Sequence, residues 1–345
     1  MNEFQILGGR KAGHIELSHQ SQVGVEARDQ RFNYEPMLSS HPRPGAMLAK
    51  KFLGHAFLAP IWVSSMTGGT EKARAINHNL ARACAEFGLG MGLGSCRPLL
   101  KSDESFDDFN VRPILGEGVP LFANLGIAQV ERLVFSGQKD QIHELVKKLD
   151  ATGIIIHVNP LQEWMQPEGD RLQIAPITTI EEFLKDCPYP VIVKEVGQGM
   201  GPESMLALMK LPLAAIEFGA FGGTNFSYLE QLRDQTSRGR DLLPLALVGH
   251  TAQEMVGYVN EILTRYPKEV QCKEFIISGG VKTFMDGFHL MESCHGNAIY
   301  GQAKNMLDYA LKGYRELSKY IKSQIEGLSV AKAYLQQRGE ERATH

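Results

Sequence analysis

From about residue 58, short β-type runs alternate with helix-patterned segments, and this alternation constrains the chain more than any other feature. Strands separated by helices pair in parallel, each helix crossing back over the sheet. The runs are FLAPIWVSS, LGMGLGS, VPLFANLG, GIIIHVN, PVIVKEVG, AAIEFGA, LPLALVG, EFIISGG and NAIYGQ. Nine runs exceed the eight strands of a closed barrel by one. The run at 243–248 is the one to set outside the ring, because the last two Gly-ended runs suit closing strands better. The expected fold is α/β: a single-domain (β/α)8 TIM barrel over 58–305, with an N-terminal extension over 1–57 and a helical tail over 306–345.

Between the runs, helices are well marked. Ala73, Ile76, Leu80, Ala83 and Phe87 put one apolar face on 71–87 before Gly88 ends the helix. Thr251 and Glu254 form a capping box ahead of Met255, Val259, Ile262 and Leu263 at helical spacing. The extension fits no βα repeat and contains HPRPG, so it is read as wrapping or covering the barrel; LDYALKGYRELSKYIKSQIEGL is read as one long helical segment.

A formal charge of −3, from 36 basic and 39 acidic side chains without long runs, gives no footprint for nucleic acid or a membrane surface. Any anionic ligand must be held locally. MNEFQILGGRK lacks the basic-then-apolar pattern of a secretory signal and no stretch approaches a transmembrane span, which reads as cytosolic. Five cysteines without a CxxC pair suggest neither a disulfide framework nor a zinc knuckle.

Parallel barrels work at the carboxyl ends of their strands. Those ends here are rich in Gly and small polar residues: Ser65, Met66, Thr67, Gly68 and Gly69; Ser95, Cys96 and Arg97; Asn124 and Gly126; Gly222, Gly223 and Thr224; Gly279 and Gly280; Gly301 and Ala303. A single Gly pair after a strand is usually only a turn, but its recurrence points to a ligand cradle. IISGG followed by an amphipathic helix offers free backbone N–H groups and a helix N-terminus for a phosphate, and AIYGQA supplies the other half. GLGMGLGS has glycines with period two and no helix opening within it, so it reads as a strand with one bare face that a flat isoalloxazine ring can approach. Lys194, at the end of PVIVK, needs an anionic or strongly polar partner: a flavin edge, or a carboxylate such as Glu195 or Glu217.

In IIIHVNPLQEWMQPEGDR, polar residues leave a buried strand for a loop that shows no helical pattern. Glu163 suits Mg²⁺, which takes one or two carboxylates and completes its shell with phosphate and water. His157 and Gln162 are suited to orienting a substrate or passing protons, the alternative for His157 being a satisfied core histidine. GGRKAGHI places Arg10, Lys11 and His14 within five residues, either a diphosphate site joined by Arg97 or a solvated basic cluster.

Taken together, RKAGHI, SSMTGG, GLGSCRP, FANLG, HVNPLQE with PEGDR, VIVKEVGQGM, GAFGGTNFSYLE and ISGGVK resemble the type 2 isopentenyl diphosphate isomerases over residues 10 to about 305. The resemblance implies an FMN enzyme, active with reduced flavin, that needs Mg²⁺ and NADPH or NADH as reductant, acts on a prenyl diphosphate and assembles as a homotetramer or larger. It implies substrate contacts at Arg10, Lys11, His14, Arg97, Asn159 and Gln162, catalysis by Gln162 with His157, and Mg²⁺ at Glu163. Flavin contacts are implied at Ser65, Met66, Thr67, Ser95, Asn124, Lys194, Thr224, Gly279, Gly280, Ala303 and Lys304. Cys96 stands where the family often has glutamine, Gly201 where serine is common, and ESCHGNA precedes the last strand in place of the usual ALGA. None of these departures removes an assigned residue. The rival readings are another FMN barrel, such as an α-hydroxy-acid oxidase or dehydrogenase, and a flavin- or phosphate-binding sensor without catalysis.

Overall fold

The computed structural model describes residues 11, 13–65, 71–234 and 241–339, and the chain separates into two compact units, residues 1–38 with 334–345 and residues 39–333. In the first unit, β1 (Phe32–Tyr34) pairs antiparallel with the last strand of the chain, Leu335–Gln337.

The second unit begins with a hairpin, β2 (Lys50–Phe52) and β3 (His55–Phe57). Eight parallel strands follow: β4 (Ile61–Val63), β5 (Gly90–Gly92), β6 (Leu121–Gly126), β7 (Gly153–Val158), β8 (Val191–Glu195), β9 (Ala215–Glu217), β10 (Glu274–Ser278) and β11 (Asn297–Gln302). They pair in chain order and close through β11 against β4, with Tyr300 opposite Ile61. Covered on both faces, such strands are apolar without alternation, as the fully buried run Ile154, Ile155 and Ile156 illustrates. The (β/α)8 barrel expected from the alternation is therefore present.

The run at 243–248 lies outside the ring, as expected, and is helical at Leu243–Ala246. Pro244, at the start of that helix, has no N–H for a ladder and a φ suited to a first helical turn. The helix Glu71–Phe87 ends at Gly88, whose φ is +58°, and Ala252–Arg265 starts from the Thr251–Glu254 capping box. The tail is not one helix: Gly313, at φ +111°, separates Lys304–Lys312 from Tyr314–Tyr334.

The end of the barrel opposite the strand termini is sealed by the hairpin. Phe52 and Phe57 enter one cluster with Trp62, Phe122, Ile155, Ile192, Ala215, Ile276 and Ile299. This corrects the reading of the bare glycine face on β5. A Cβ on Gly90 would meet the Trp62 ring at 2.5 Å and Phe57 at 2.8 Å, and one on Gly92 would meet Ile155 Cδ1 and Ser65 Oγ at 2.4 Å. The missing side chains make room for the aromatic plug and for the neighbouring strands, not for a flat ligand. Phe57→Ala, which empties part of this plug, is expected to cost about 3–5 kcal/mol of stability, measurable by denaturant unfolding.

Candidate active site

At the carboxyl ends of β8 to β11 the turns enclose a cavity of about 570 Å³. Ser65, Lys194, Thr224, Gly279 and Gly280 line it, with Ala303 and Lys304 closing one side. Its floor is backbone packed on backbone. Gly279 has φ +88°, and a Cβ there would lie 2.1 Å from Ala220 O; a Cβ on Gly223 would lie 3.1 Å from Gly280 N. Only glycine permits that approach, and it leaves amide groups facing the cavity.

The helix N-terminus expected after IISGG is already satisfied. Thr283 and Asp286 form a capping box ahead of Phe284–Ser293, and the Asp286 carboxylate accepts from the Thr283 and Lys282 N–H groups at 2.9 and 3.1 Å. An acidic cap disfavours an anion at that point. The next helix offers the better site. Lys304–Lys312 follows β11 directly, its N-cap Ala303 has no side-chain cap, and Ala303, Lys304 and Asn305 all face the cavity. The Gly279–Gly280 turn together with the start of this second helix is thus the part of the cavity suited to an anion such as a phosphate.

Under the cradle lie buried charges. Lys194 Nζ donates to Glu195 O at 2.6 Å and lies 3.9 Å from Glu217 Oε1. The carboxylate proposed as an alternative partner for Lys194 is therefore present at long range. Glu217 is fully buried; its Oε1 accepts from Ser278 Oγ at 3.1 Å, while Oε2 has no partner among the described residues. The hydroxyls of Ser64 and Ser65 are likewise buried without a partner among the described residues. Orphaned polar atoms are costly in a dry interior, and here they border a cavity floored with bare backbone and flanked by Lys194, Lys282 and Lys304. That donor set fits FMN, a flat ring carrying polar edges and a phosphate.

A second group of predicted residues forms one polar chain along the rim. Arg97 pairs with Asp170 at 3.1 Å, and Gln129 Nε2 donates to Asp170 at 2.8 Å. The Asp170 N–H donates to Glu163 Oε2 at 2.8 Å, and Asn159 Nδ2 donates to Glu163 Oε1 and Gln162 Oε1, both at 3.1 Å. Gln162 Nε2 donates to Glu230 Oε1 at 3.1 Å, and Glu230 pairs with Arg233 at 2.5 Å. The segment after β7, read as lacking helix, is helical over Pro160–Met165, with Pro160 in its first turn; that turn is what sets Gln162 and Glu163 beside Asn159. Both Glu163 oxygens already accept hydrogen bonds, and no cluster of three or more metal-type side chains occurs among the described residues. A carboxylate oxygen keeps lone-pair capacity after one such bond, so Glu163 fits Mg²⁺ as a single protein ligand with diphosphate oxygens and water.

Among the described residues the two groups do not share a cavity. Asn159 and Gln162 open onto a largely apolar space of about 550 Å³ shared with Ile180, Val193 and Leu208. Strand alternation explains the split: on β8, Lys194 faces the glycine cradle, whereas Val193 and Glu195 line the other space. His157 Nδ1 meets Asn124 Oδ1 at 2.7 Å across the β6–β7 pair, and its ring value is pushed down to about 4 by burial and then by the charge of Lys194. Ser95 is half-buried beyond β5, outside the residues lining the cradle. Lys11 and His14 are exposed in the first unit; Arg10, Met66 and Thr67 lie outside the described residues.

Several cavity and rim residues escaped the sequence reading. Asp170 and Lys282 sit inside PEGDR and ISGGVK, Glu230 inside GAFGGTNFSYLE, and Ser278 is a polar position of an otherwise apolar strand, as is Glu217, which was read only as a partner for Lys194. A polar residue within a fully buried strand was the available signal.

A closed parallel barrel with a flavin-type cradle, a buried lysine and a polar rim at its strand ends defines a (β/α)8-barrel flavin-type enzyme. The same fold occurs in flavocytochrome b2 with pyruvate bound, at TM-score 0.61 and 14% identity, covering 88% of this chain and 72% of that one. It occurs also in a mandelate oxidase variant with a monooxide FMN adduct, at TM-score 0.51 and 13% identity, covering 89% and 88%. No family model matches the chain. Curated relatives are much nearer in sequence. The isopentenyl-diphosphate delta-isomerase of Deinococcus radiodurans is 33% identical over 284 residues, 81% of this chain and 78% of that protein. That of Rickettsia felis is 32% identical over 328 residues, 93% and 90% respectively. The chain belongs to the isopentenyl-diphosphate delta-isomerase family, and its barrel fits the FMN-dependent, type 2 branch.

Because its folded value lies below the ordinary 6.5, His157 is neutral above about pH 5. Between about 4 and 6.5 the unfolded chain binds the extra proton, so this residue's contribution makes stability fall as pH falls through that window. Imidazole resonances of His157 followed by NMR are expected to titrate near 4, and a midpoint near 6.5 would show that the ring is solvated and ordinary.

Proposed function

We propose that this chain interconverts isopentenyl and dimethylallyl diphosphates, with reduced FMN in the glycine cradle, Mg²⁺ at Glu163 and NADPH or NADH as the source of electrons. The observation that carries the reading is the relationship to isopentenyl-diphosphate delta-isomerases over 81–93% of the chain. The cradle, with its orphaned Ser64, Ser65 and Glu217 oxygens, supports the flavin part. The flavocytochrome b2 and mandelate oxidase structures of similar fold share only 12–15% identity, which speaks for the barrel alone.

The reaction adds a proton to the terminal methylene carbon and removes one from C2, so substrate and product have the same composition. A hydrocarbon gives side chains almost no handle for either transfer. When bound, reduced FMN supplies acid–base chemistry and an electron-rich face beside the alkene.

The chain's own residues hold and orient. In this reading Gly279, Gly280 and the backbone at Ala303 and Lys304 grip the flavin phosphate, and Lys194 meets the polar edge of the ring. Ser65, Met66, Thr67, Ser95, Asn124 and Thr224 complete the flavin contacts. Arg10, Lys11, His14, Arg97 and Asn159 fix the diphosphate, and Glu163 shares its metal, which sets the alkene carbons. Neutral His157, held by Asn124, orients polar groups without adding charge to the barrel mouth.

Gln162 contacts substrate and takes part in proton transfer, with the Glu230 carboxylate 3.1 Å behind its amide. Turning Gln162 toward the mouth releases its bond to Asn159, worth about 1 kcal/mol net, and its bond to the Glu230 carboxylate, worth about 1.5–3 kcal/mol, within reach of substrate-binding energy. Assembly as a homotetramer or larger belongs to the same reading. No helix among the described residues is long and apolar enough to cross a membrane.

Anaerobic incubation with FMN, NADPH, Mg²⁺ and isopentenyl diphosphate is expected to yield dimethylallyl diphosphate, detected by mass or label; absence of product with FMN bound would refute the assignment. Gln162→Ala is expected to lower turnover by about 10²-fold or more with FMN affinity unchanged. Glu163→Gln is expected to raise the Mg²⁺ needed for half-maximal rate. Equal loss of FMN from both variants would make them structural.

A further inference from the structure

Glu217 is a fully buried carboxylate side chain in the cradle. It sits on β9, lines the cavity, and leaves Oε2 without a partner among the described residues. Its Oε1 is fixed by Ser278 Oγ at 3.1 Å and lies 3.9 Å from Lys194 Nζ. β9 stands between β8, where Lys194 is the register partner of Glu217, and β10, where Ser278 lies two residues beyond its partner Ile276. Lys194 Nζ also donates to Glu195 O, which keeps it from closing fully on the carboxylate. A tight buried ion pair would quench the lysine charge, whereas this spacing weakens what Lys194 presents to the cavity without cancelling it.

We propose that Glu217 is a positioning residue for the flavin, acting through Lys194: its carboxylate, oriented by Ser278, offsets the positive charge that Lys194 presents to the ring. This rests on FMN occupying the cradle. Lysine alone would favour the reduced, more negative ring strongly over the oxidised one. The paired carboxylate reduces that preference, so the cradle accepts the ring without demanding full negative charge from it.

The test is the ratio of FMN affinities, reduced over oxidised, obtained from the midpoint potential of bound FMN relative to free FMN. Glu217→Gln keeps the shape and an acceptor for Ser278 but removes the charge; the ratio is expected to rise about tenfold. Lys194→Met is expected to lower it by a similar factor. Because Glu217 acts through Lys194, the double variant is expected to match Lys194→Met within about twofold, a departure from additivity that two independent roles would not give. An unchanged ratio in Glu217→Gln, or additive effects in the double variant, overturns the proposal. Should Glu217→Gln fail to fold, Glu217→Asp, which draws the carboxylate back from Lys194 by one methylene, is expected to raise the ratio severalfold, and an unchanged ratio there overturns the proposal. Failure of the unaltered protein to bind oxidised FMN would instead overturn the functional reading on which the proposal stands.

Discussion

Closing eight parallel strands into a ring forces every residue of each strand to face either the ring's interior or the helical layer, and the site inherits that division. On β8, a one-residue step separates Lys194, turned to the glycine cradle, from Val193 and Glu195, turned to the apolar space beyond. Parallel pairing in fixed register sets Lys194 opposite Glu217, and Ser278, two residues past the Ile276 that faces Glu217, reaches the carboxylate from the next strand. A slip of one residue in any of these pairings would send a charge into the helix layer, where neither partner could reach it.

Buried polar atoms are divided by the same geometry into two kinds. Those of the rim bond one another in a continuous chain from Arg97 through Asp170, Glu163, Asn159 and Gln162 to Glu230 and Arg233, with Asn159 Oδ1 the one oxygen of that chain left over among the described residues. Those of the cradle form no such chain: Ser64, Ser65 and Glu217 keep oxygens unused among the described residues. A protein tolerates such a cost where a ligand removes it. The contrast separates a surface that is organised in advance from one completed by what it binds.

Much of this was legible in the residues. The alternation of strands and helices marked the barrel, the helix 71–87 with its Gly88 stop was plain, and Pro244 explains why the extra run never joined the ring. Seven of the flavin positions implied by the resemblance line one cavity. What misled was glycine, whose absent side chain says that something comes close but not what. At Gly90 the neighbour is Trp62, and at Gly279 it is the backbone of Ala220. The helix at Pro160–Met165 was hidden because six residues are too few for a periodic apolar face, and Gly313 divides the tail by its backbone angle, not by any change in composition. The branch of the helix start toward Lys304 was equally hard to read, since it depends on Asp286 already occupying the nearer one.

The aromatic hairpin beneath the barrel has a further implication for how the molecule is made. It precedes every wall strand in the chain, so a ribosome releases the stopper before the vessel, while the seam between β4 and β11 joins the first wall strand to the last. Until nearly the whole chain has emerged, Phe52 and Phe57 have no complete enclosure to fill and β4 has only one neighbour. Final sealing is thus a late, long-range event during biogenesis, and the nascent chain carries exposed aromatic surface for most of its synthesis.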